Sequence, residues 1–64
     1  STASVGAVAY FAPGVGGASA YGHVAGVDSV NSDGTITISE ANYAGKLYNS
    51  RTISTSSVSG FIHQ

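Results

Sequence analysis

Asn31-Ser32-Asp33-Gly34 lies between two runs of alternating apolar and polar residues, and it constrains the fold more than any other stretch. Asp and Gly tolerate positive φ, so the stretch predicts a tight turn joining two antiparallel strands. The run after it, Thr35 to Glu40 (TITISE), has a clean period of two. The run before it, Gly22 to Val30, is its partner strand. If Asn31 faces Gly34, Ala25 faces Glu40 and His23 faces Asn42. Paired residues of an antiparallel ladder point to the same side. His23, Ala25 and Val27 then share a face with Ile36, Ile38, Glu40 and Asn42. A turn made by Asp33 and Gly34 alone leaves these faces unchanged, whereas an odd-length loop or a bulge exchanges them.

The β-formers Val, Ile, Tyr, Phe and Thr are spread through the rest of the chain, and no segment sustains helical periodicity. Val5 to Phe11 reads as a first strand, with Val5, Ala7, Ala9 and Phe11 on one face. Pro13 and Gly14 end it. A Gly- and Ala-rich loop runs from Ala12 to Tyr21. Ala44-Gly45 makes a second turn before a fourth strand, Leu47 to Ile53. Ser54 to Ser59 is a Ser/Thr-rich bend, and Gly60 to His63 adds a short last strand. The expected fold is mainly β, a small antiparallel sheet in one domain over residues 1–64, without repeat or linker.

A core is marginal in 64 residues. Domains of this size commonly carry disulfides, a metal or a partner. There is no Cys, so neither a disulfide nor a Cys-based zinc site can staple the sheet. A net charge of −1 with 8% charged residues gives no basic surface for nucleic acid. No apolar run approaches the roughly 20 residues of a membrane span. Low charge with abundant Ser, Thr, Gly and Ala fits a secreted or cell-wall protein. The chain shows neither an initiator Met nor a signal-peptide pattern, so it is expected to be a processed product or a piece of something longer. Val15-Gly16-Gly17 lacks the Lys-Ser/Thr ending of a phosphate loop. No metal or other cofactor is expected, because Asp28, the third possible ligand beside His23 and Glu40, points to the opposite face.

The face shared by His23, Glu40 and Asn42 is apolar over Val27, Ile36 and Ile38, and polar groups at its end need partners or a function. Taken singly, His23 is a half-exposed residue at a strand start, and Glu40 and Asn42 are strand-end polar groups. Taken together they form a base with two orienting groups. A carboxylate holding one imidazole nitrogen leaves the other to act as a base. The nucleophile best suited to such a pair is Cys, and the chain has none. No Ser stands in a G-x-S-x-G elbow.

SVGAVAYFAPG, GVGGASAYGHVAGVDSVNSDGTITISEANY and RTIS occur in this order, and with them the sequence resembles the C-terminal half of a CHAP domain, a cysteine- and histidine-dependent amidohydrolase/peptidase. The resemblance implies the β half of a papain-like α+β fold without its N-terminal helical half. It also implies a role in a peptidoglycan amidase or endopeptidase. Its catalytic His would be His23, supported by Glu40 and Asn42. The family's nucleophilic Cys belongs to the helical half, so this chain is expected to be inactive alone. Its expected partners are peptidoglycan and either a Cys-bearing N-terminal half or a second copy, because the apolar face is expected to be bare without that half. Tyr21 and Tyr43 are candidates to line a substrate groove, whereas Tyr10 and Tyr48 read as packing residues. The alternative reading is a small secreted antibacterial or wall-binding protein without catalysis. A third is a purely structural, self-assembling sheet.

Overall fold

The computed structural model describes residues 2–15, 22–43 and 46–63, the side chains of residues 42, 43, 46 and 47 excepted. Five strands form one sheet: β1 (Val8–Phe11), β2 (His23–Val30), β3 (Thr35–Tyr43), β4 (Lys46–Ser54) and β5 (Gly60–Ile62). Their spatial order is β4-β3-β2-β1-β5, with every neighbour antiparallel. The mainly β, antiparallel fold read from the sequence is the fold observed. Among the described residues the sole helical piece is the 3₁₀ turn Thr55–Ser57, capped by Ser54, whose Oγ accepts from Ser56 N–H.

β4 and β5 lie on opposite edges, so residues 55–59 must travel between them. Thr55 N–H donates to the Gly34 carbonyl at 3.1 Å, and Ser59 N–H donates to the Tyr10 carbonyl at 3.0 Å. β1 is shorter than expected. Gly6, at φ +88°, turns the chain before the strand begins, and Val5 points outward at 69% exposure instead of joining the inner face.

The β2–β3 hairpin departs from the expected register twice, and the departures cancel. Its loop has three residues, Ser32 to Gly34, closed by Asn31 N–H donating to Thr35 O at 2.9 Å. Gly34 takes φ +83°, where a side chain would be strained. The odd loop pairs Val30 with Ile36 and Ser29 with Thr37, one residue out of step. The register then shifts between Val27 and Ser29 and restores Val27 opposite Ile38 and Gly26 opposite Ser39. The extra residue, Asp28, is exposed and accepts a hydrogen bond from Ser39 Oγ on the outer face. The bulge thus returns the inward residues of β2 to the face that the loop alone would have reversed.

That inner face is the core. Ala7, Ala9, Phe11, Ala25, Val27, Ile36 and Ile38 are all buried, with Ala3, Val15, Ile53, Val58 and Phe61 packed around them. Fully burying one such branched side chain contributes about 1.5–3 kcal/mol. The bare apolar face expected from the sequence is therefore not found, because the N-terminal segment, β4, β5 and the crossing segment 55–59 cover it. Self-association over this face loses its premise. The described residues contain no helix long and apolar enough to cross a membrane.

Candidate functional site

At one end of the core the inner face turns polar. Glu40 on β3 has a fully buried side chain, and three side chains converge on it. From β2, His23 Nε2 lies 2.7 Å from Glu40 Oε1. From β4, Asn49 Nδ2 donates to Glu40 Oε2 at 3.2 Å. Arg51 Nε stands 2.7 Å from the same oxygen, a close charge pairing. The His23 and Arg51 side chains keep 15% and 21% of their exposure, so the cluster reaches the surface through these two residues.

Phe11 on β1 closes the cluster. Its ring centroid is 5.7 Å from that of His23, at an interplanar angle of 33°. The Arg51 guanidinium sits 5.5 Å from the same ring, within cation–π range. Backbone pairing explains the convergence. Phe11 faces His23, Glu40 faces Asn49, and Ile38 faces Arg51. Each pair projects to one side, and all three project to the inner face.

The electrostatics set protonation. Burial pushes the Glu40 carboxyl up, but the contacts from His23, Asn49 and Arg51 outweigh it and hold the group below its ordinary value. Glu40 is therefore a carboxylate at neutral pH. A carboxylate only accepts, so Nε2 of His23 must donate to it. A neutral His23 consequently carries its proton on Nε2 and its basic lone pair on Nδ1. Arranged this way, the pair can take up a proton at Nδ1 while Glu40 stabilises the resulting imidazolium.

The structure brings together two of the sequence-predicted site residues, His23 and Glu40. Asn42 and Tyr43 lie in β3, but their side chains are outside the described residues, as is all of Tyr21. Asp28 lies on the outer face, as expected, and no group of three or more metal-ligating side chains occurs among the described residues. Tyr10 and Tyr48 are exposed, and Tyr10 lies against Gly60, where an added Cβ would come within 2.6 Å of its ring. Sequence reasoning missed Asn49 and Arg51. The signal was available: a two-residue turn at Ala44-Gly45, continued down the ladder, sets Asn49 against Glu40 and Arg51 against Ile38.

Comparison with known proteins bears on this geometry. The family model described as CHAP domain matches residues 1–42. Over 66 residues the chain is 50% identical to a Staphylococcus aureus protein named probable autolysin SsaALP, covering 97% of the chain and 23% of the relative. It is 54% identical over 44 residues to probable autolysin LDP of the same species, covering 67% of the chain and 16% of the relative. It is 51% identical over 45 residues to an N-acetylmuramoyl-L-alanine amidase, sle1, of Staphylococcus saprophyticus, covering 67% of the chain and 14% of the relative. The chain thus spans less than a quarter of the length of each of these relatives. No solved structure matches it.

Proposed function

The chain belongs to the CHAP domain family, and from that premise we propose that it supplies the base-and-carboxylate part of a peptidoglycan hydrolase, an amidase or endopeptidase. The observation that carries this reading is the 2.7 Å contact between His23 Nε2 and the buried Glu40 carboxylate. The nucleophile would be a Cys thiol from a helical segment outside this chain, which itself holds no Cys. His23 Nδ1 takes the thiol proton and the thiolate attacks the amide carbonyl; as the C–N bond breaks the imidazolium gives its proton to the leaving amine, and a water deprotonated by Nδ1 then breaks the thioester, releasing the acid and restoring the thiol. Glu40 fixes the imidazole and offsets its charge through these transfers, and Asn42 serves as a further orienting group. In this reading Tyr21 and Tyr43 contribute contacts to the peptide stem or glycan. The protein acts outside the cell or in the wall, in keeping with relatives named autolysin.

The test is digestion of purified peptidoglycan, with soluble products identified by mass spectrometry. The chain alone releases none, and the chain combined with a Cys-bearing CHAP N-terminal half releases them. His23→Ala abolishes release from the combination. Products from the chain alone, or release indifferent to His23→Ala, would refute the assignment.

A further inference from the structure

Arg51 is joined to both members of the candidate pair by separate routes. Its Nε is 2.7 Å from Oε2 of Glu40, the oxygen that His23 does not use. Its guanidinium packs on the Phe11 ring, which also packs on the His23 ring. The four side chains form a closed circuit: His23 to Glu40, Glu40 to Arg51, Arg51 to Phe11, Phe11 to His23. They come from four strands, with His23 and Arg51 meeting at the buried carboxylate and both packing on Phe11. A carboxylate touched only through one oxygen can swing about its last side-chain bonds. Here the other oxygen, Oε2, is held at 2.7 Å by the charged Arg51 Nε and at the longer 3.2 Å by the neutral Asn49 Nδ2, so its orientation is set chiefly by Arg51.

We propose that Arg51 is a positioning residue for the His23–Glu40 pair, clamping Oε2 so that Oε1 is aimed at Nε2 and steadying, through Phe11, the plane of the imidazole. The inference rests on the hydrolase reading for its purpose, but the clamp itself is a property of this chain. Among the described residues the charged and titratable groups facing Glu40 are His23 from β2 and Arg51 from β4, with the neutral Asn49 beside them. Asp28 is on the outer face and Asp33 in the hairpin loop, while the Lys46 side chain is outside the described residues. A guanidinium suits this place because it stays charged and can stack on an aromatic face, and Lys can supply only the charge.

The chain makes this testable, because Glu40 is its one glutamate and Arg51 its one arginine. In a ¹³C,¹⁵N-labelled 64-residue chain, the Glu40 Cδ and Arg51 Nε signals should titrate with a common midpoint. In Arg51→Gln the Glu40 midpoint should rise by about half a pH unit or more. The fraction of neutral His23 carrying its proton on Nε2 should fall in the same variant. Arg51→Lys should recover part of the midpoint and little of the tautomer preference. An arginine that merely stabilised the sheet would lower the melting temperature and leave midpoint and tautomer in place; that result overturns the inference. An Arg51 Nε signal without an inflection at the Glu40 midpoint also overturns it, and needs no variant, so the proposal stays testable if Arg51→Gln fails to fold. These readings do not depend on hydrolysis. Should His23→Ala leave peptidoglycan release unchanged while the co-titration holds, the hydrolase reading fails and the clamp stands.

Discussion

The inner face of the sheet has an apolar end, fully buried, and an ionic end that reaches the surface at His23 and Arg51, and the two are held by different physics. Around Ile36, Ile38 and Val27 it is apolar, and each residue gains by leaving water whatever its exact orientation. Around Glu40 it is ionic, and a buried carboxylate costs free energy unless its oxygens are met in the right geometry. His23, Asn49 and Arg51 meet them. The apolar end therefore provides most of the stability and the ionic end provides orientation. This division of labour is what a site of directed proton transfer requires: a rigid, non-directional floor beneath a small directional cluster.

Substitutions at the two ends should separate these roles. The largest effect is expected from Ile38→Ala, a fully buried side chain, which should cost about 2–5 kcal/mol in urea unfolding. For a domain this small that approaches its whole stability. A loss under about 1 kcal/mol would break the comparison from the apolar side. Glu40→Gln should cost less, about 1–3 kcal/mol, because the amide keeps shape and some hydrogen bonding. It should nevertheless abolish hydrolysis by the chain combined with a Cys-bearing half. Gly34→Ala, at φ +83°, should cost about 1–2 kcal/mol through backbone strain alone. It should leave the His23–Glu40 contact intact in NMR spectra, since the hairpin loop lies at the far end of β3 from Glu40.

The smallest expected effect is a pH dependence. The folded Glu40 carboxyl is held below its ordinary value of 4.5, so the unfolded chain binds the proton more readily. The contribution of Glu40 is therefore complete well above pH 4.5 and is lost as the pH falls through the lower, folded value. Asp33 works in the same direction, held down by the Thr35 hydroxyl and N–H. Melting temperature should drop on acidification below that point. The drop should be reduced by Glu40→Gln and nearly removed when Asp33→Asn is added. Unchanged acid sensitivity in the double variant would show that the carboxylate contacts do not set it.

Much of this arrangement was legible in the sequence because strand alternation is a strong signal. It placed His23, Ala25 and Val27 with Ile36, Ile38 and Glu40, and the structure keeps that grouping. The route was hidden, since the three-residue loop and the bulge at Asp28 are separate departures whose effects on register cancel. Burial decided between registers, as only one of them hides Val27 and Ala25. β4 was less legible for a physical reason. Its inward residues opposite Glu40 and Ile38 are Asn49 and Arg51, so the strand shows no apolar stripe. Polar side chains on an inner face look like solvent-facing ones until the carboxylate they serve is known. The coverage of the core was misjudged because residues 55–59 read as a bend, and a bend does not disclose that it crosses the sheet from one edge strand to the other.

The most direct test is the ¹⁵N spectrum of the neutral His23 ring in the wild-type chain and in Glu40→Gln. The account predicts that neutral His23 carries its proton on Nε2 in the wild type, with Nδ1 showing the shift of an unprotonated nitrogen, and that this preference weakens in Glu40→Gln. A proton on Nδ1, or a tautomer indifferent to Glu40, would contradict the claim that the buried carboxylate makes His23 a directed base.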